Sequence, residues 1–194
     1  MMKTSLRLAA LAAMALAPFS AYADMTVRSS DGSMELALPN GWHDVKPDGA
    51  STKIAATDGH GTRLVVRVYP KEDFKDAKAV ADFAVKKLKL ADNDGVKTED
   101  IQIGGKPAVR MTIVGTRASE KRAGFLITII DADSQYIEIQ GATDASSFGK
   151  QTPVLQALAS ALKVVPAAAA APAAETPAPA APAKPAVKPP VPKQ

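Results

Sequence analysis

Residues 96–140 read VKTEDIQIGGKPAVRMTIVGTRASEKRAGFLITIIDADSQYIEIQ, and this stretch decides the fold. Turn signals divide it into four strands. Gly104-Gly105 suits a two-residue hairpin, because glycine takes positive φ at both central positions. Val109, Met111 and Ile113 then alternate with Arg110 and Thr112, the period of a half-buried strand. Beyond a charged loop, residues 125–130 are almost continuously apolar, the pattern of a strand covered on both faces. Asp131 to Ser134 turn the chain, and Ile137 and Ile139 alternate with Tyr136, Glu138 and Gln140. Tight turns between successive strands demand antiparallel pairing, since parallel pairs need long crossovers.

The flanking sequence extends this pattern. Toward the N-terminus, Leu64, Val66 and Val68 alternate with Arg63, Val65 and Arg67 in a strand that Pro70 ends. Residues 53–57 form a weaker strand across the Asp58-Gly59-His60-Gly61 turn. Met34, Leu36 and Leu38 alternate with Glu35 and Ala37, after a short strand over residues 25–28. Asp73 or Asp76 caps a helix running to about residue 91, with Ala77, Val80, Phe83, Ala84 and Leu88 on one stripe. Asp92-Asn93-Asp94-Gly95 terminates that helix. A second helix starts near residues 144–147 and buries Leu155, Leu158, Ala159 and Leu162. Proline is tolerated only near a helix start, so the residues before Pro153 read as a separate turn. The expected architecture is α+β: a central antiparallel β-sheet flanked by helices.

The two ends differ from this domain. Lys3 and Arg7 precede an apolar run over residues 8–16, and Ala21-Tyr22-Ala23 offers a small-x-small cleavage site. That is the layout of a secretory signal peptide at residues 1–23, cleaved after Ala23. The run falls short of the roughly 20 apolar residues that span a bilayer, and no second long apolar run exists. The expected location is the periplasm, with the extracellular medium as the alternative. Residues 167–194 contain 12 Ala and 8 Pro and lack the apolar content to build a core. They read as a disordered, polyproline-like tail from residue 166, able to reach roughly 90 Å when extended. The globular domain spans residues 24–165.

Composition excludes several functions. The chain has no cysteine, hence no disulfide, thiolate metal site, cysteine nucleophile or lipid-bearing N-terminal cysteine. The formal charge of +4 resides in the ends, since residues 24–165 hold 19 basic and 19 acidic side chains. A neutral domain shows no electrostatic footprint for nucleic acid.

Two motifs carry a family resemblance. Met34-Glu-Leu-Ala-Leu-Pro-Asn-Gly-Trp42 resembles the strand and Pro-x-Gly-Trp opening of PsbP-like domains. Ile103-Gly-Gly-Lys-Pro-Ala-Val-Arg-Met111 is similar to their Gly-x-Pro-Ala hairpin. A segment containing Phe148 and a final helix ending Leu-Ala-Ser-Ala-Leu-Lys163 extend the likeness over roughly residues 25–164. The superfamily includes the PsbP accessory protein of photosystem II, a Ran-binding nuclear-transport factor and DcrB-like bacterial envelope proteins. The resemblance implies a PsbP-like α/β sandwich and a non-enzymatic interaction module.

No catalytic set emerges from the residues. His43 and His60 are the only histidines. His43 has Asp44 beside it, but neighbours on a strand point to opposite faces, and no Gly-x-Ser-x-Gly elbow is present. Asp58 and His60, with His43, match no metal-binding spacing and read as a hairpin turn. Asp92-Asn93-Asp94-Gly95 opens like a calcium loop, but its twelfth position is Ile103 instead of Glu. Gly104-Gly105-Lys106 precedes Pro107 and a strand, so it is no phosphate cradle. We therefore assign no catalytic, cofactor or metal residue. Trp42, Tyr69 and Tyr136 are core anchors or partner contacts. Lys184, Lys188 and Lys193 in the tail are candidate contacts to peptidoglycan, an anionic surface or an acidic partner. The leading expectation is an accessory module assisting an envelope protein assembly. A small-ligand or lipid carrier is the alternative, and an unrecognised hydrolase a remote one.

Overall fold

The computed structural model describes residues 23–117 and 121–165. The signal-peptide reading and the tail with its three lysines lie outside the described residues. In chain order the elements are β1 (Ala23–Arg28), β2 (Met34–Pro39), β3 (His43–Asp44), β4 (Thr52–Thr57), β5 (Arg63–Pro70), α1 (Ala77–Lys87), β6 (Leu90–Ile103), β7 (Lys106–Arg117), β8 (Arg122–Asp131), β9 (Gln135–Asp144), α2 (Ala145–Ala161) and β10 (Leu162–Val164). Seven strands form one antiparallel sheet in the order β3-β4-β5-β9-β8-β7-β6. The chain is α+β, as the residue pattern predicts, but the opening strands leave the main sheet. β2 pairs with β1 on one side and with β10 on the other in a second, three-stranded sheet.

The strand order fixes where each helix lies. The chain leaves β5 near the middle of the sheet and re-enters at β6, the far edge. Helix α1 makes that crossing and therefore packs on β8 and β7. Asp76 caps it, its Oδ1 accepting from the Ala79 amide at 2.8 Å. The stripe of Val80, Ala81, Ala84 and Leu88 meets Met111, Ile113, Phe125, Ile127 and Ile129. On the opposite face α2 packs on β8 and β9. Phe148, Leu155, Leu158 and Ala159 join a second core cluster with Leu126, Ile137, Ile139 and the β2 side chains Met34, Leu36 and Leu38. Strand β8 is buried at every position from 124 to 130, because it is covered on both faces.

Two glycines seat α2. A Cβ on Gly124 of β8 would stand 2.1 Å from Phe148 Cγ, and one on Gly141 of β9 would stand 2.6 Å from Leu155 Cδ2. The helix approaches the sheet only because both positions lack a side chain.

Several local expectations are corrected. Helix α1 stops at Lys87, and Lys89 turns the chain at φ 51°. Asp92 to Gly95 is then a bulge within the long edge strand β6, not a loop ending the helix. Helix α2 runs unbroken through Pro153. Gly149, whose carbonyl loses its helical donor, is exposed along with Pro153, so that carbonyl stays on the solvent side. Leu162 leaves the helix to begin β10, against β2. The Gly104-Gly105 hairpin is as expected, with φ of 57° and 77°.

Asp31 ties the two sheets together. It sits in the β1–β2 turn, accepts from Ser29 Oγ at 2.7 Å, Ser33 Oγ at 2.6 Å and the Ser33 amide at 3.1 Å, and pairs with Lys53 of β4 at 2.7 Å. The Lys53 ammonium first, then the serine donors, hold its carboxyl well below the ordinary value of 3.8, against a smaller upward push from burial. A depressed carboxyl stabilises the fold above its ordinary pKa, and that contribution fades as the pH falls toward the folded value. Asp31→Asn is therefore expected to flatten the loss of stability between about pH 5 and pH 2 in urea titrations. Gly124→Ala should destabilise the domain by about 3 kcal/mol, read as a lower urea midpoint at unchanged slope.

Candidate functional site

The register places a polar patch on the face of the large sheet that carries α1. Arg63, Val65, Arg67 and Tyr69 of β5 stand opposite Ala142, Gln140, Glu138 and Tyr136 of β9. On the next strand the same rows continue as Phe125, Ile127, Ile129 and Asp131. Helix α1 covers the apolar β8–β7 half of this face. On the β5–β9 half, Tyr69 and Tyr136 join the α1 cluster, and the rows beyond them carry Arg63, Arg67, Glu138 and Gln140.

Glu138 anchors the patch. It is only 1% exposed, a carboxylate on a sheet face between Arg67 of β5 and Ile129 of β8. Its Oε1 accepts from Arg67 Nη1 at 2.8 Å and its Oε2 from the Tyr69 hydroxyl at 2.6 Å. Arg67 Nη1 also donates to Gln140 Oε1 at 3.0 Å. Burial first, then the carboxylate it donates to, pushes the Tyr69 phenol well above its ordinary value of 10.0. Tyr69 thus stays a hydrogen-bond donor at any physiological pH. Its ring meets Phe74 and Phe83 edge-on at 5.6 and 5.9 Å, which joins the polar network to α1.

Toward the other end of β5 the face opens into a trough of about 340 Å3. Gly61, Ala123 and Ala142 floor it, since small residues leave the sheet surface unfilled there. Arg63 of β5 and Arg117 of β7 line it from opposite flanks, with Lys121, Phe125, Thr143 and Asp144 completing the lining. Arg117 lies over the Phe125 ring, its Cζ 5.2 Å from the centroid. Arg63 Nη2 meets Asp48 Oδ2 at 2.6 Å in an exposed pair.

This arrangement of strands and helices occurs in known proteins. Cyanobacterial PsbP (CyanoP) from Synechocystis sp. PCC 6803 superposes with a TM-score of 0.55 at 15% identity, covering 73% of this chain and 92% of that one. The fold is PsbP-like. LpqN, involved in cell envelope biogenesis of Mycobacterium tuberculosis, has the same fold at 12% identity and a TM-score of 0.51, covering 73% of this chain and 90% of LpqN. A protein of Bacteroides thetaiotaomicron matches at 10% identity and a TM-score of 0.51, covering 72% of this chain and 48% of that one. At these identities the likeness is one of fold. No protein-family model matches the chain, and no curated protein does.

Within the PsbP-like domain the residues singled out from sequence are dispersed. Trp42 packs in the cluster with Met34, Leu36 and Leu38. Tyr69 and Tyr136 are buried under α1. All three occupy packing positions, and a partner would have to displace covering elements to reach their rings. His43 and His60 are exposed, at β3 and at the β4–β5 turn. That turn is ordered by Asp58, whose Oδ1 accepts from the His60 and Thr62 amides at 2.8 and 2.9 Å. Burial acts upward on the Asp58 carboxyl, but the Thr62 and His60 bonds outweigh it and hold it below 3.8. Among the described residues no three His, Asp or Glu side chains converge to hold a metal. No described helix is long and apolar enough to cross a membrane.

The sequence reading missed Arg63, Arg67, Glu138, Gln140 and the trough. A charged residue at an alternating strand position looks like a solvated one until the neighbouring strand is known. Glu138→Ala is expected to cost about 3 kcal/mol, because it strands Arg67 beside an apolar face. Tyr69→Phe should cost about 2 kcal/mol, the worth of a hydrogen bond to a charged acceptor. Urea unfolding of each variant against the parent checks both values.

Proposed function

We propose that this PsbP-like domain is a non-catalytic accessory module of the cell envelope, exported to the periplasm, that binds a protein of a larger envelope assembly. The observation that carries this reading is the end of the sheet face beyond α1's cluster, where Arg63, Arg117, Lys121 and Asp144 line an open trough that another chain can enter. LpqN, which shares the fold, is involved in envelope biogenesis. The Ala/Pro-rich tail serves in this reading as a tether, with Lys184, Lys188 and Lys193 meeting peptidoglycan, an anionic surface or an acidic partner.

In-cell cross-linking followed by mass spectrometry tests it, comparing the full chain with one ending after Val165. One dominant envelope protein is expected with the full chain. Loss of that protein on shortening assigns recognition to the tail, and retention assigns it to the domain. Capture of no specific protein, together with a lipid or small molecule extracted from the purified chain, replaces this reading with a carrier.

A further inference from the structure

We propose that the trough between Arg63 and Lys121 is a recognition site for an acidic peptide segment of a protein partner. The proposal rests on the accessory reading and names the chemistry of its contact. Three cations, Arg63, Arg117 and Lys121, stand on two sides of a floor made by Gly61, Ala123 and Ala142. The strands that supply them are distant in sequence, so the charges meet only through the pairing of β5 with β9 and of β8 with β7 and β9.

The shape favours a peptide over an enclosed small ligand. The trough is an open depression of about 340 Å3 and not an enclosed cavity. Gly61 takes φ of +100°, and a Cβ there would stand 3.9 Å from Asp144 Oδ2. A side chain at this position would be strained and would narrow the trough. Phe125, under the Arg117 guanidinium, supplies an apolar base against which a methylene stem can pack.

The charges also set an orientation. A carboxylate of the segment sits between Arg63 and Lys121, where the Arg63 guanidinium can take it as a fork and the Lys121 ammonium as a point charge. Asp144, beside Gly61 and paired with Ala123, accepts from a backbone N–H of the same segment. The exposed Arg63–Asp48 pair does not block this site. Surface pairs of this kind are worth about 0–1 kcal/mol, so an incoming carboxylate can exchange for Asp48.

Titration of the isotope-labelled protein with a hexaglutamate peptide, followed by amide chemical shifts, tests the assignment. The expected result is saturable shifts centred on Gly61, Ala123, Ala142 and Asp144. Arg63→Glu with Lys121→Glu should weaken binding at least about tenfold. Lys78→Glu with Lys86→Glu on α1, an equal change in net charge, should leave it unchanged. Lys121→Glu alone, at an exposed position, should weaken binding in the same direction and guards against misfolding of the double variant. Shifts spread over the α1 lysines, or no saturable shifts, overturn the proposal. So does equal occupancy of the trough by inorganic phosphate or by phosphatidylglycerol vesicles, which would make the site one for a free anion or a lipid surface. A partner still cross-linked by the Arg63/Lys121 variant leaves the accessory reading standing and removes the trough from it. Peptide bound in the trough with no partner captured in cells does the reverse.

Discussion

A strand with no polar face must be covered twice, and β8 is such a strand. Its positions from 124 to 130 are all buried. The rest of the architecture answers that requirement. Helix α2 and the three-stranded sheet close one side, where Gly124 and Gly141 let the helix backbone sit close. Helix α1 closes the other, carried there by the crossing from β5 to β6. Burial of these apolar rows supplies the dominant favourable term in folding, and close packing makes it sensitive to a single added methyl.

One helix cannot cover both halves of a seven-stranded face. An α-helix with its side chains is about 10 Å wide, and strands lie about 4.8 Å apart, so α1 shields about two of them. The shielded pair is β8 and β7. The strands beside them, β9 and β5, keep polar residues on this face, and those residues satisfy one another. Glu138 accepts from Arg67 and Tyr69, and Arg67 reaches Gln140. An unpaired carboxylate in that position would be costly, which explains why the network is complete around it. The same gap in coverage leaves the trough open, so the candidate site follows from the limit on what one helix covers.

Much of the domain was legible from local pattern. The Gly104-Gly105 turn, the Asp76 cap, the doubly apolar run in β8 and the alternation in β2 each have a local physical cause. The failures also have causes. Asp92 to Gly95 has turn chemistry, yet it forms a bulge because β7 continues beside it and Gly115 leaves room for the Asp92 carbonyl. Pro153 is accommodated because Gly149 faces solvent. Leu162 has helical spacing, but β2 offers it an open edge.

Residue order alone carries the α+β class, the resemblance to PsbP-like domains, the neutral charge of residues 24–165 and the contrast with the Ala/Pro-rich end. These depend on composition and on periods shorter than one element. That Arg67 faces Glu138, and that Arg63 shares a trough with Lys121, follows from the folded chain alone. Strand adjacency brings together residues more than 50 positions apart, and no local period encodes which strand will lie beside which.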